Sequence, residues 1–106
     1  MDTATKMGTT ESDTERTLAR WTNQLNEVRG RMLAGGGKPG LASPSVVAGK
    51  TGLEIMQAML AGEAPYPHIA ETLDFALVEV GPGTAVFQGT PQLKHYNPLG
   101  TVHGGW

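Results

Sequence analysis

Three consecutive glycines, Gly35-Gly36-Gly37, followed by Pro39, Gly40 and Pro44, divide the chain into two parts that cannot share one regular element. Successive glycines raise the backbone entropy to be lost on folding, and the first of them can take the left-handed conformation after a helix C-terminus. The prolines fix φ and remove backbone donors. At 106 residues the chain has room for one small domain and not for two hydrophobic cores. Much of the glycine lies in the first half, so the usable core is expected to start near residue 50.

Charge and composition narrow the function classes. A net charge of −2, with no basic cluster beyond Arg29 and Arg31, supplies no field to hold a phosphate backbone, so nucleic acid is not an expected partner. The absence of cysteine removes disulfides, thiolate nucleophiles and cysteine metal sites together, and agrees with a reducing cytoplasm, the expected location. Met1 to Thr10 is polar and does not have the form of a signal peptide. No apolar run approaches the ~20 residues that span a bilayer, so a soluble protein without a membrane partner is expected.

Along the chain, residues 1–11 show no apolar periodicity and read as a loose tail. Ser12 and Glu15 then have capping-box spacing, and Leu18, Trp21, Leu25, Val28 and Met32 recur at steps of three and four. The spacing predicts an amphipathic helix over about residues 12–34, packed on its own domain or on a sister subunit. Residues 35–45 read as a linker. Thr51 and Glu54 form a second capping box, opening a shorter helix in which Leu53, Met56, Met59 and Leu60 share a face and which Gly62 and Pro65 close. After the Pro65-Tyr66-Pro67 turn, Thr72 to Val80 reads as a strand whose Leu73, Phe75 and Leu77 alternate against Asp74 and Ala76. Gly81-Pro82-Gly83 is a turn, and Thr84 to Thr90 is a second strand with Val86 and Phe87 as its main packing residues, making an antiparallel hairpin. Pro91 and Pro98 interrupt the ladder, so His95 to Val102 is expected as an irregular loop.

Two motifs fail on spacing. Gly49-Lys50-Thr51 matches the end of a phosphate loop and precedes a helix, but the required first glycine is Pro44 and no strand leads into it. His68, His95 and His103, with Glu71 or Asp74 nearby in sequence, lack the spacing of a metal-ligand set, and His68 reads as an exposed surface histidine; no metal is expected.

The segment His95-Tyr96-Asn97-Pro98-Leu99-Gly100-Thr101-Val102-His103-Gly104-Gly105-Trp106 gathers more polar groups, glycines and proline than a plain turn needs. It resembles the signature of PaaI-type hot-dog-fold thioesterases, in which an Asn, then a Gly, then His-Gly-Gly lead into a long central helix. The matching positions are Asn97, Gly100, His103, Gly104 and Gly105, and the preceding order of short helix, strand, Gly-containing turn and strand is similar as well. The resemblance covers about residues 50 to 106. Residues 1–50, comprising tail, helix and linker, stand outside it, and 51–106 read as the N-terminal part of a hot-dog thioesterase domain.

The resemblance implies an α+β chain carrying an incomplete hot-dog fold: N-terminal helix, short helix and antiparallel hairpin, with the central helix and later strands missing. It implies hydrolysis of acyl-CoA, with coenzyme A part of the substrate and no separate cofactor, in a homodimer or homotetramer. Such a reaction passes through a tetrahedral oxyanion, and fixed donors aimed at that charge contribute most. The family pattern assigns the Gly104 N–H to that role at a helix N-terminus, where unpaired amides and the helix dipole favour an anion. It assigns Asn97 to orienting water or thioester, the alternative being a loop-stabilising Asx turn. His103 is expected to hold the loop and the carbonyl end of the substrate, or to be purely structural. Gly105 is expected beside the substrate, and His95 at the rim, with a contact to a CoA phosphate as a lesser option that Lys94 fits equally. The nucleophile or general base of the family, an Asp or Glu on the central helix acting across a dimer interface, would fall about six residues after Trp106, so this chain is expected to hold half a site and to be inactive alone. Glu54, Asp74 and Glu79 are not expected to replace it. The rival readings are a non-catalytic hot-dog module that binds acyl-CoA and a small scaffold without a ligand.

Overall fold

The computed structural model describes residues 12–106; the expected N-terminal tail, residues 1–11, lies outside the described residues. Four helices precede one hairpin: α1 (Asp13–Ala34), α2 (Pro44–Val47), α3 (Gly52–Leu60), α4 (His68–Leu73), β1 (Phe75–Gly81) and β2 (Thr84–Gly89), followed by a 3₁₀ turn at Leu93–His95. The architecture is α+β, with β1 and β2 pairing antiparallel. No helix among the described residues is long and apolar enough to cross a membrane.

Both expected capping boxes are formed. The Ser12 N–H donates to Glu15 Oε1 at 2.8 Å and the Glu15 N–H to Ser12 Oγ at 3.0 Å. The Thr51 N–H donates to Glu54 Oε1 at 2.8 Å and the Glu54 N–H to Thr51 Oγ1 at 3.1 Å. Each pair satisfies two of the donors that a helix start leaves without an intrahelical partner.

α1 ends in the glycine run, but Gly35 keeps φ −84°, and the positive-φ residues are Gly36 (+115°) and Gly37 (+69°). The Gly37 N–H reaches back to the Met32 carbonyl at 2.9 Å, consuming an acceptor the helix end leaves open. Gly35 is needed for another reason: a Cβ there would sit 2.4 Å from the Gly62 carbonyl oxygen. Gly62 is its counterpart, with φ +78° and a would-be Cβ 2.5 Å from the Arg31 carbonyl oxygen. The C-terminal ends of α1 and α3 therefore touch backbone to backbone, and Arg31 Nε donates to the Leu60 carbonyl at 2.9 Å. The segment expected as a linker is fastened too. The Gly40 N–H donates to the Tyr66 carbonyl at 3.0 Å and the Tyr66 hydroxyl to the Gly37 carbonyl at 3.1 Å, and α2 begins inside it at Pro44, the helix start where a missing N–H costs least.

The expected strand over residues 72–80 starts later than the sequence suggests. Thr72 and Leu73 complete α4, and Asp74 takes the left-handed conformation (φ 53°, ψ 45°) that ends the helix and turns the chain into β1. Asp is among the few non-glycine types that visit this region readily. The buried face of β1 is also not the one that Leu73, Phe75 and Leu77 mark. Ala76 and Val78 are 3% and 4% exposed and pack with Val28 of α1, while Phe75 and Leu77 are half-buried. A register shift between Leu77 and Glu79 places a bulge at Val78, and Gln24 of α1 donates toward the Val78 carbonyl at 3.4 Å and Glu79 Oε1 at 3.3 Å. Because α1 covers the small-residue face, the larger residues remain for the other one, where the Phe75 ring lies 5.2 Å from Phe87 and 6.2 Å from Trp106.

Two further expectations on packing are corrected. Val86 and Phe87 are 44% and 51% exposed, because α1 and α3 lie against β1; Phe87 still packs on Phe75, while Val86 is outside the core. The apolar stripe of α1 is used only in its second half: Leu25, Val28 and Met32 reach the core, whereas Leu18 and Trp21 stay exposed.

Gly62→Ala is expected to lower the unfolding free energy by more than about 1 kcal/mol, since the new Cβ meets backbone at a positive φ. Gly30→Ala, inside α1 with open space around it, should raise that energy by up to about 1 kcal/mol. Urea midpoints of the two variants check both signs. Acid should unpick the capping boxes. Hydrogen bonds from the backbone and side chain of Ser12 and of Thr51 hold Glu15 and Glu54 below the usual carboxylate range. A carboxyl group with a folded-state pKa below its unfolded value contributes above the unfolded value and stops contributing as pH falls through the folded one. Far-UV helix signal is expected to decline over that acidic window, and less steeply in Glu54→Gln.

Candidate functional site

As expected, His95 to Val102 makes no third strand; within Thr90 to Trp106 it folds back on itself as a hydrogen-bonded ribbon. The His103 N–H donates to the His95 carbonyl at 2.8 Å, the Asn97 N–H to the Thr101 carbonyl at 2.8 Å, and Tyr96 and Val102 pair between them as an isolated antiparallel bridge. The tip is built from turn chemistry. The Gly100 N–H closes on the Asn97 carbonyl at 3.1 Å across Pro98 and Leu99, and Gly100 sits at φ +86°. Asn before Pro, with a left-handed glycine three positions on, is the residue choice such a turn and its trailing bulge select.

Asn97 is spent on this turn. Its Oδ1 accepts the Leu99 N–H at 2.9 Å and the Thr101 N–H at 3.2 Å, and its Nδ2 donates to Thr101 Oγ1 at 2.8 Å. The geometry is that of the Asx turn, with both acceptor positions of the amide oxygen filled and one amide proton left over. Thr101, which the sequence reading did not single out, is the other half of this clasp. Its place two residues before His-Gly was legible only as part of the turn pattern.

His95 is not at the rim. It is 7% exposed, and each ring nitrogen has a partner inside the chain: Nδ1 accepts the Gln92 N–H at 2.7 Å, and Nε2 faces the Thr72 carbonyl at 3.3 Å. Accepting at Nδ1 puts the proton on Nε2, so the ring is a donor to Thr72. The expected contact from His95 to a CoA phosphate has no free nitrogen to make it. The Asp74 carboxylate lies 3.7 Å from the same Nε2 and 3.0 Å from Lys94 Nζ, which draws the lysine onto the protein as well. That pair is largely solvated and contributes little to stability.

At the end of the ribbon, His103 Nδ1 accepts the Gly105 N–H at 2.8 Å and the Trp106 N–H closes a four-residue turn on the His103 carbonyl at 2.9 Å. Trp106 Nε1 donates to the Leu73 carbonyl at 2.8 Å, and its ring lies 5.9 Å from that of His95. The indole therefore docks this turn on the junction of α4 and β1. No acceptor among the described residues takes the Gly104 N–H, and a Cβ at Gly104 would meet nothing within 4 Å. Nor does Gly104 have a positive φ. Neither its conformation nor its packing in this chain accounts for a glycine there. A shallow cleft of about 260 Å³ runs along the turn between Tyr96, His103, Gly105 and Trp106, and no carboxylate lines it.

The other side chains considered stand apart. His68 is exposed, as expected, but as the first residue of α4 and not in a loop. Lys50 Nζ donates to the Val46 carbonyl at 2.6 Å and Thr51 caps α3, which uses up the phosphate-loop-like triplet. Glu54 is held in its cap, and Glu79 is exposed. Among the described residues no three His, Asp or Glu side chains lie together as a possible metal-ligand set. A separate apolar cavity of about 140 Å³ lies between α1, α3, α4 and the hairpin, with Met32, Met56, Met59 and Phe87 on its wall.

Asn97→Ala is expected to remove protection from exchange at the Leu99 and Thr101 amides and to loosen the ribbon, whereas Asn97→Asp, which keeps both acceptor positions, should retain most of it. Hydrogen exchange at those two amides is the measurement.

No family model, no curated protein and no solved structure matches this chain.

Proposed function

We propose that the chain carries the oxyanion-binding half of an acyl-CoA thioesterase site of the PaaI-type hot-dog class. The reading rests on the turn His103-Gly104-Gly105-Trp106, where the exposed Gly104 has no acceptor among the described residues for its amide and a Cβ would meet nothing within 4 Å. When water or a carboxylate attacks a thioester, the carbonyl oxygen becomes negative, and a fixed backbone donor stabilises that charge without reorganising. A donor of this kind can contribute ~2.7–4 kcal/mol to the transition state. A side chain at Gly104 would stand where the thioester carbonyl has to approach.

The neighbouring groups have supporting parts in this reading. Gly105 commits its N–H to His103, so the two residues define the shape of the turn while Gly104 supplies the free donor. His103 Nε2 carries the proton in that arrangement, and the residue is exposed, so that it can donate to the carbonyl end of a substrate. Asn97 keeps the ribbon closed through its Asx turn, with one amide proton remaining for a water. The α+β order of helix and antiparallel hairpin is compatible with the opening half of a hot-dog domain. The nucleophile or general base comes from a carboxylate beyond Trp106, on a central helix that reaches the site across a homodimer or homotetramer interface. The alternative is a hot-dog module that binds acyl-CoA through the same turn and has no such carboxylate.

A polypeptide extended past Trp106 to include that helix is expected to hydrolyse members of an acyl-CoA panel, and Gly104→Val should lower kcat/KM by ~10²-fold. In the 106-residue chain the same substitution should shift the melting temperature by less than about 2 °C, since a Cβ at Gly104 meets nothing within 4 Å and the residue has no positive φ. Binding of acyl-CoA without turnover would favour the module, and the absence of both binding and turnover would sink the proposal.

A further inference from the structure

We infer that His95 is the positioning residue of the proposed oxyanion turn, fixing where the Gly104 amide points without touching the substrate itself. The inference rests on the reading of that turn given above, and it begins from a contrast in the molecule. His95 is the polar side chain that the described fold buries most completely, yet it belongs to the segment whose other members are largely exposed. A buried imidazole is costly to desolvate unless both nitrogens are satisfied, and here both are.

Those two hydrogen bonds connect separate pieces of chain. The Thr72 carbonyl belongs to the end of α4, and the Gln92 N–H to the segment entering the 3₁₀ turn, so the ring bridges residues 20 apart in sequence. With the ring immobilised, the backbone of His95 is immobilised as well; its N–H donates to the Gln92 carbonyl at 2.8 Å. Its own carbonyl then accepts the N–H of His103, the residue immediately before Gly104, at 2.8 Å. The imidazole also faces the Trp106 indole, which bounds the far end of the turn and is tied to the Leu73 carbonyl. One side chain thus holds the turn at both of its ends, the first through a backbone hydrogen bond and the second through a ring contact. The charged groups facing the imidazole are Asp74, 3.7 Å from Nε2, and Lys94, whose ammonium is bound to that same carboxylate.

A residue that merely filled the core would be replaced by any ring of the same size. His95→Phe keeps the ring contact with Trp106 and removes both hydrogen bonds; His95→Asn keeps an acceptor near the Nδ1 position and loses the donor to Thr72. In the chain itself, nitrogen-15 spectra of the wild-type imidazole should show Nε2 protonated and Nδ1 as an acceptor. His95→Phe should shift the Gly104 and Gly105 amide resonances and speed exchange at Gly105, leaving the Val28, Ala76 and Val78 amides in place, and His95→Asn should recover part of the shift. In the extended polypeptide, a misplaced donor acts on the transition state, so His95→Phe should lower kcat by about tenfold or more with KM changed less than about twofold. Glycine amides that do not move in His95→Phe, or core amides that move as much in both variants, overturn the inference. An extended wild-type polypeptide without hydrolase activity would overturn the functional reading instead, and the amide shifts would still decide the role of His95.

Discussion

A two-stranded hairpin is at best marginal in water, so the fold depends on what is laid across it. Here that is the second half of α1, whose Val28 packs with Ala76 and Val78 of β1. Small residues on β1 let the helix come close, and the bulge at Val78, with its carbonyl facing Gln24, adapts the strand to it. The contact also requires α1 to end where it does. Gly35 and Gly62 let the ends of α1 and α3 meet backbone to backbone, and Arg31 reaches the Leu60 carbonyl across that junction. With the helix on one face of β1, the rings of Phe75, Phe87 and Trp106 cluster together, next to the ribbon that carries the proposed site.

The site segment divides into residues whose presence the loop itself explains and residues it does not. Asn97, Pro98, Gly100 and Thr101 make a turn, and each has a partner or a backbone conformation that calls for its residue type. Gly105 and His103 close a second, smaller turn. Gly104 is left without such an account, because its conformation is ordinary, its surroundings are open and its amide has no acceptor in the chain. A glycine that its own fold does not require is where a ligand is reasonably sought, since close approach to backbone is the other service glycine performs.

Anchoring runs in the opposite direction from exposure in this part of the molecule. The most buried side chain of the segment, His95, and its largest, Trp106, both reach back to carbonyls at the end of α4, Thr72 and Leu73. The left-handed Asp74 that follows turns the strand away, so the two carbonyls are left for side chains from the ribbon and not for ladder partners. The ribbon is thereby tied to the packed part of the domain through two side chains, as the proposed site would require of a loop that holds a precise donor.

What the sequence by itself determined is local. Ser12 with Glu15 and Thr51 with Glu54 make both helix starts legible, as does the glycine run for the end of α1, because the groups that satisfy one another lie close together in sequence. The hairpin was legible for the same reason, with Gly81-Pro82-Gly83 between two β-prone runs. The turn at Asn97 was legible in its residue types, and its use of the Asn97 amide was one of two readings left open. The tertiary structure alone decided which face of β1 is buried, since alternation marks two faces and only the arrival of α1 chooses between them. It decided likewise that Thr72 and Leu73 end a helix, and that Val86 and Phe87 stay exposed. It also decided that His95 is a buried anchor instead of a rim contact, because its partners, Thr72 and Trp106, come from distant points of the chain or across the folded ribbon. Pairings of that kind form only when the whole chain has packed, and no local pattern encodes them.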